Sequence, residues 1–335
     1  MAFIDSHSGR SRRLLLLSFL VFLLVTVLFV SCKKDTVSHP TKISPIDTIK
    51  SPAGFIDTGS AIAGAIIVPA MYAGMGENLT FVSSGPITLK DKHDTVINGI
   101  ATPRISLENC SNITIRNCKI GPNGKNGINL LNCNNIHIDS CYIYHVATGI
   151  FASYGKAISI TNCQAKNMIG PFPQGQFVQF NNIGGGGSRI SFNKFENVLG
   201  ESYTEDAISL FKCNGLPTDP IVVESNWIRG GGPSGSGGGI MLGDGSGSNQ
   251  VARNNILVDA GQYGMAVSGG TYMSIVNNSI FGKSQPFTSE GIYYHNYTAL
   301  PSTNISIAKN AINYTNSKNE LTNLYLGPGE QAPAG

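Results

Sequence analysis

Apolar residues fall at every second position in short runs, and the runs recur along the chain. ITIRNCKI (113–120), IHIDSCYI (136–143) and ISITNCQA (158–165) are three copies of one pattern. It continues as ISFNKF (190–195), VVESNWI (222–228), ARNNIL (252–257), SIVNNSI (274–280) and SIAKNAI (306–312), with TVINGI (95–100) as an earlier copy. Aligned on their last apolar residue, the copies share a slot holding Asn98, Cys118, Cys141, Cys163, Asn193, Asn226, Asn255, Asn278 and Asn310. A second alternating run lies between them, as NGINL (126–130), TGIFA (148–152), DAISL (206–210), GGIML (238–242), YGMAV (263–267) and EGIYY (290–294). Alternation with period two predicts strands with one buried face. A unit of short strands joined by turns rich in Asn and Gly cannot bury that face alone, but stacking on its neighbours does so. The pattern therefore predicts an all-β parallel solenoid of about nine or more coils, with equivalent residues stacked ~4.8 Å apart. Asn in the fixed slot then forms an amide ladder. Cys, a small buried hydrophobe, fills the same slot.

The first thirty residues follow another pattern. Arg10, Arg12 and Arg13 precede an unbroken apolar run from Leu14 to Val30, the order of a secretory signal. Phe29-Val30-Ser31-Cys32 resembles a bacterial lipobox, in which the cysteine is acylated and becomes the new N-terminus, although Phe29 stands where Leu is usual. An uncleaved membrane anchor is the alternative. The expected organisation is a signal peptide over 1–31, lipidated Cys32 with a flexible tether over 32–56, an N-terminal cap with the first strands over 57–84, and the solenoid over 85–335. The expected location is the cell envelope, anchored in a lipid membrane through Cys32 at the outer membrane or cell surface.

Composition narrows the classes. Charged residues make up 13% of the chain, against a typical ~25%, so its 31 Asn carry much of the polarity and a coiled coil is excluded. A hydrophobic content of 41% is enough to bury a core and excludes disorder. Removing Arg10, Arg12, Arg13 and Asp5 from the formal charge of +3 leaves 20 basic and 19 acidic residues, a net of +1. That near-neutral body excludes nucleic acid as a partner.

The repeats over roughly 85–326 resemble the single-stranded right-handed parallel β-helix of pectate lyases, polygalacturonases and related carbohydrate-active proteins. The resemblance implies the scaffold, its hand and a polysaccharide partner. Cys110 and Cys133 share one slot, Cys118, Cys141 and Cys163 another, and Cys213 stands apart. Adjacent-coil pairs are close enough to bridge, but Asn holds the same slot elsewhere, which favours reduced ladder thiols. No metal-ligand spacing occurs and no cofactor is expected, with calcium left open by the lyase resemblance.

In such solenoids the coils are scaffold, and chemistry sits on one outward face with its loops. The coils between 163 and 255 are longer than the early ones, and PFPQGQ (171–176), GESYTED (200–206) and RGGGPSGSGG (229–238) are their insertions, with QPFTSE (285–290) later. Together these predict a wall along a cleft. Hydrolysis of a glycoside needs two carboxyls, for which Glu205 or Asp206 with Asp244 are candidates. Elimination from a uronate needs a base and a cation, for which Lys212 and Arg229 are candidates. Phe211, Met241, Tyr263, Tyr293 and His295 supply a partly aromatic strip for sugar rings. The structural alternatives are an ion pair between Lys212 and Asp244 stacked on adjacent coils, and turn chemistry for Glu205-Asp206. Glu205-Asp206 partly matches one polygalacturonase motif, and the Asn-Thr-Asp, Gly-His-Gly and Arg-Ile-Lys motifs are missing, so the resemblance transfers no catalytic set. The expectation is an exported monomer that binds and cleaves a polysaccharide as a lyase or hydrolase. The alternative is a non-catalytic glycan-binding or adhesive solenoid.

Overall fold

The computed structural model describes residues 81–330. The expected signal, Cys32, the tether and most of the expected cap lie outside the described residues. Alternating Ile, Leu and Val build three columns of parallel strands that the chain visits in turn. The first is a ten-stranded sheet running from Val82–Ser83 to Ala311–Tyr314. The second runs from Ile87–Lys90 to Leu324–Leu326, and the third from His93–Asn98 to Ser306–Ala308. Two long strands, Ile150–Thr161 and Ile240–Arg253, pass through the corner and belong to both the second and third sheets. Every pairing between these strands is parallel and joins one coil to the next. The architecture is the parallel β-helix, and one continuous core of Ile, Leu, Val, Phe and Cys fills its interior.

The corners explain the abundance of Asn. At the turn out of the second sheet, Asp91, Asn109 and Asn132 each have φ of 52°, the left-handed region where Asn and Asp are tolerated best. Their side chains link the coils, since the Asn132 amide donates to Asn109 at 2.9 Å and the Asn109 amide to Asp91 at 3.1 Å.

The corner between the third and first sheets carries the buried ladder. Asn193 Nδ2 donates to Asn226 Oδ1 at 2.9 Å, Asn226 to Asn255 at 2.9 Å, Asn255 to Asn278 at 3.0 Å and Asn278 to Asn310 at 2.9 Å. Each Oδ1 also accepts the backbone N–H of the slot residue one coil earlier, including Cys163 N–H to Asn193 at 2.9 Å. The second Nδ2 hydrogen reaches a main-chain carbonyl, such as Ile190 for Asn226. Cys163 continues the pattern with a weak thiol donor to the Ile138 carbonyl at 3.8 Å, the position equivalent to that used by Asn193. The thiols therefore imitate the ladder amides as well as filling their volume.

Two details depart from the sequence pattern. Ala101 pairs with Lys119, which puts Ile100 rather than Asn98 beside Cys118. Asn98 is exposed and accepts from Asn117 at 3.0 Å, because the first coil closes in 18 residues. Cys213 does not stand apart either. Through Gly155 and Ile183 it continues the column of Cys110 and Cys133. All six described cysteines are free and buried, as expected of ladder thiols.

Truncating one rung orphans donors and acceptors on both sides. Asn226→Ala is expected to lower unfolding free energy by about 3 kcal/mol, against about 1 kcal/mol for Cys163→Ala, which loses only a weak thiol donor. Urea denaturation followed by far-ultraviolet circular dichroism reads both, and equal losses would contradict a hydrogen-bonded ladder.

Candidate functional site

Side chains on the outside of the second sheet form columns parallel to the coil axis. One column reads Ser106, Asn129, Phe151, Gln179, Ser209, Met241, Ala266, Tyr293 and Tyr325. Its two halves differ. From Ser106 to Gln179 the side chains are part-exposed and mostly polar, whereas Ser209, Met241, Ala266 and Tyr293 are buried although they point outward.

A wall of loops stands between the first and second sheets, as the insertions predicted. It is tied from coil to coil: Tyr203 N–H donates to the Met168 carbonyl at 3.0 Å, Thr204 N–H to Gly232 at 3.3 Å and Asn167 Nδ2 to Glu201 at 2.7 Å. Gly232, with φ of 80°, lies under the Phe287 ring, which leaves no room for a Cβ.

Beside the N-terminal end of this wall lies a cleft of about 320 Å³ lined by Arg104, Ser106, Gly124, Lys125, Asn126, Asn129 and Gln174. Gln174 comes from the 171–176 insertion and overhangs two earlier coils. Asn126 Nδ2 donates to Asn129 Oδ1 at 3.2 Å, which orients both amides. Asn126 Oδ1 is buried with no hydrogen-bond partner in the protein. With two cations, three amides and a hydroxyl, the cleft is built to hold hydroxylated or anionic groups rather than apolar ones.

The C-terminal half carries an outer aromatic layer of Met241, Tyr263, Ala266 and Tyr293, backed by Tyr325. Tyr263 starts its strand in the column of Asp206 and Gly238, and its ring crosses over Gly238, where any Cβ would strike it. That gap lets the Tyr263 hydroxyl donate to Asp206 Oδ1, which also accepts Gly238 N–H at 3.1 Å. Tyr263 and Tyr293 meet edge to face at 4.8 Å between centroids. Burial first, and the neighbouring carboxyls after it, hold both phenols far above their ordinary range. The carboxyls acting on Tyr293 are those of Asp206, Asp244 and Glu290.

Of the residues that sequence singled out, Asp206, Asp244, Met241, Tyr263 and Tyr293 thus converge. Glu205 is buried beside them, but its carboxyl accepts Ser234 Oγ at 2.6 Å and Ser236 Oγ at 2.8 Å, fastening the 230–238 loop. Asp244 accepts Ser209 Oγ at 3.2 Å. A bulge in the Ile240–Arg253 strand sets Asp244 opposite Phe211, not opposite Lys212 as the count of residues implied. Lys212 is exposed and holds its ammonium 5.0 Å from the Phe211 ring centroid. Arg229 is exposed on the first sheet, in register with Glu196, on another face from Lys212. His295 sits 3.6 Å from Glu330 and packs edge to face on Tyr297.

The residues that sequence reasoning passed over are the cleft's Arg104, Lys125, Asn126, Asn129 and Gln174, together with Glu290. Glu290 lies in register with Tyr263, acts on the hydroxyls of Tyr314 and Tyr325, and is 7% exposed. Burial pushes its carboxyl up to about 8. The available signal was its place in the column of Asp206 and Tyr263, two residues before the core Ile of each strand.

The fold and site define a parallel β-helix with one loop-walled outward face. Residues 98–280, more than half of the chain, match the family model described as right-handed beta helix region, and the chain belongs to that family. No curated protein matches the sequence. Among solved structures, the tailspike protein of E. coli bacteriophage HK620 in complex with a pentasaccharide is 11% identical, with a TM-score of 0.41, covering 76% of this chain and 58% of that one. The catalytic domain of a GH87 alpha-1,3-glucanase in complex with tetrasaccharides is 13% identical, with a TM-score of 0.37, covering 71% and 49%. An alginate lyase from Paenibacillus sp. str. FPU-7 is 13% identical, with a TM-score of 0.30, covering 76% and 94%. This chain spans little more than half of the tailspike chain, and likeness at this level transfers no residue, ligand or reaction.

Glu290 gives the site a pH signature. Its folded value, about 8, lies above the ordinary 4.5, so folding disfavours the ionised form and stability falls as pH rises from 4.5 to 8. The slope approaches about 1.4 kcal/mol per pH unit. Urea midpoints measured across that span are expected to fall for the natural protein. In Glu290→Gln this component is absent, and an unchanged slope would mean that the carboxyl is hydrated.

Proposed function

We propose that this protein is an exported, lipid-anchored solenoid that binds a polysaccharide on the outward face of its second sheet. The observation that carries the reading is the polar cleft. Arg104, Lys125, Asn126, Asn129 and Gln174 converge there from two coils and an overhanging loop. Sugar hydroxyls hydrogen-bond to side-chain amides and cations of this kind, and the part-exposed Phe151 continues the strip with an apolar ring. The lipobox at Cys32 and the tether after it support presentation at a membrane surface.

A hydrolytic step is the second reading, favoured by Asp206, Asp244 and Glu290 around Tyr293. Glycoside hydrolysis needs one protonated and one ionised carboxyl, and burial keeps the proton on Glu290 at neutral pH. In that step Glu290 gives its proton to the glycosidic oxygen as the bond to the anomeric carbon breaks. Asp244 takes a proton from the water that adds there. Elimination has weaker support, because its base and cation, Lys212 and Arg229, belong to different sheets.

The test incubates protein lacking residues 1–32 with acidic and neutral polysaccharides, with and without calcium, and measures both binding and new chain ends. Binding is expected, weakened about tenfold in Arg104→Ala/Asn129→Ala. Reducing ends without ultraviolet absorbance, abolished in Glu290→Gln, support hydrolysis, whereas absorbance from an unsaturated uronate indicates elimination. Binding without new ends leaves an adhesive solenoid, and failure to bind any polymer removes the proposal.

A further inference from the structure

Charge is scarce in this chain, yet it gathers on a face that the cleft does not use. The first sheet turns its own columns outward, and five successive strands from Lys119–Ile120 to Trp227–Arg229 present nine outward positions. Four are cations, Lys119, Lys166, Lys194 and Arg229, and the one acid is Glu196, a local net of +3. The body after Cys32 totals only +1, so everything off this face sums to about −2. A patch more positive than the whole protein carrying it is a surface for an anion.

Aromatic rings stand among these cations. Tyr142 and Tyr144 stack with centroids 5.0 Å apart and planes 1° from parallel, and Lys119 holds its ammonium 5.3 Å from the Tyr144 centroid. Further along, Lys194 pairs in register with Trp227 and lies 5.9 Å from its ring centroid. Lys166 meets Glu196 at 3.8 Å, leaving Lys119, Lys194 and Arg229 in excess. Rings provide flat apolar faces for pyranose C–H groups, and the interleaved cations provide partners for carboxylate or sulfate. Five strands at ~4.8 Å per step make a strip about 19 Å long. It runs straight along the coil axis, a shape matched to a linear polymer.

We propose that the outward face of the first sheet is a second ligand-binding strip, which takes an acidic polysaccharide lying along the coil axis. It shares only the general class of ligand with the cleft and stands on different residues of a different sheet.

Trp227 is the only tryptophan in the chain, so intrinsic fluorescence reports from this strip. The full chain, kept soluble in nonionic detergent, is titrated with polygalacturonate, a neutral glucan and anionic phospholipid vesicles. Polygalacturonate is expected to give a saturable change in Trp227 emission, and salt that shortens the Debye length below about 8 Å weakens it. Lys119→Ala/Lys166→Ala/Lys194→Ala raises the half-saturation concentration about tenfold. The same titration in the Arg104→Ala/Asn129→Ala background reads the strip alone. A persisting signal there supports the strip, and the cleft is judged separately: it is overturned if that double substitution leaves total polymer binding unchanged. The strip is overturned by silent Trp227 emission with polygalacturonate, by an equal response to neutral glucan, or by a response to vesicles only.

Discussion

The hydrogen bond on which the structure depends runs along the coil axis, from the amide of one buried Asn to the amide of the next. An amide has two donors and one carbonyl oxygen, and in the ladder from Asn193 to Asn310 each interior rung uses all of them. The rungs are at most 2% exposed, so water offers no substitute and an unmade bond costs the full desolvation of its group. Each coil can therefore stack in only one register. A shift by one residue would bury polar side chains and expose the Ile and Leu columns at once. The early coils keep that register with thiols in place of amides, a weaker bond in a slot of the same size.

Register makes side-chain columns, and columns make sites. Ser106 with Asn129, Asp206 with Tyr263, and Lys194 with Trp227 are separated in sequence by different intervals. Each pair is brought together by the same repeat or by its interruption. The interruptions are informative. Gly238 leaves a gap in its column, and Tyr263 crosses it to reach Asp206. The bulge after Met241 moves Asp244 one place along, beside Phe211 and within reach of Ser209.

The faces of the solenoid differ in how they treat charge. On the second sheet, carboxyls are sunk in a tyrosine layer at one end and cations line an open cleft at the other. The first sheet keeps its cations on a part-exposed surface, spaced between rings. A chain with so few charges can separate them this way because its turns draw their polarity from Asn amides, which bind without adding to the field.

The repeat, its two strand runs, the ladder slot and the insertions were legible in the sequence because period-two alternation and a fixed small polar slot are local properties of the chain. Position along the chain could not settle which outward side chains are buried. Met241, Tyr263 and Tyr293 point outward as their alternation requires, yet they are buried against one another in a single layer drawn from successive coils. Nor could counting place Lys212, Asn98 or Cys213, since one bulge or one short coil shifts everything after it relative to its neighbours. The cleft was hidden for the same reason. Gln174 reaches residues two coils earlier by overhanging them, and such a contact exists only once the coils are stacked. The sequence thus determined the coil and its core through local alternation, and the tertiary structure decided the sites because each is assembled across coils.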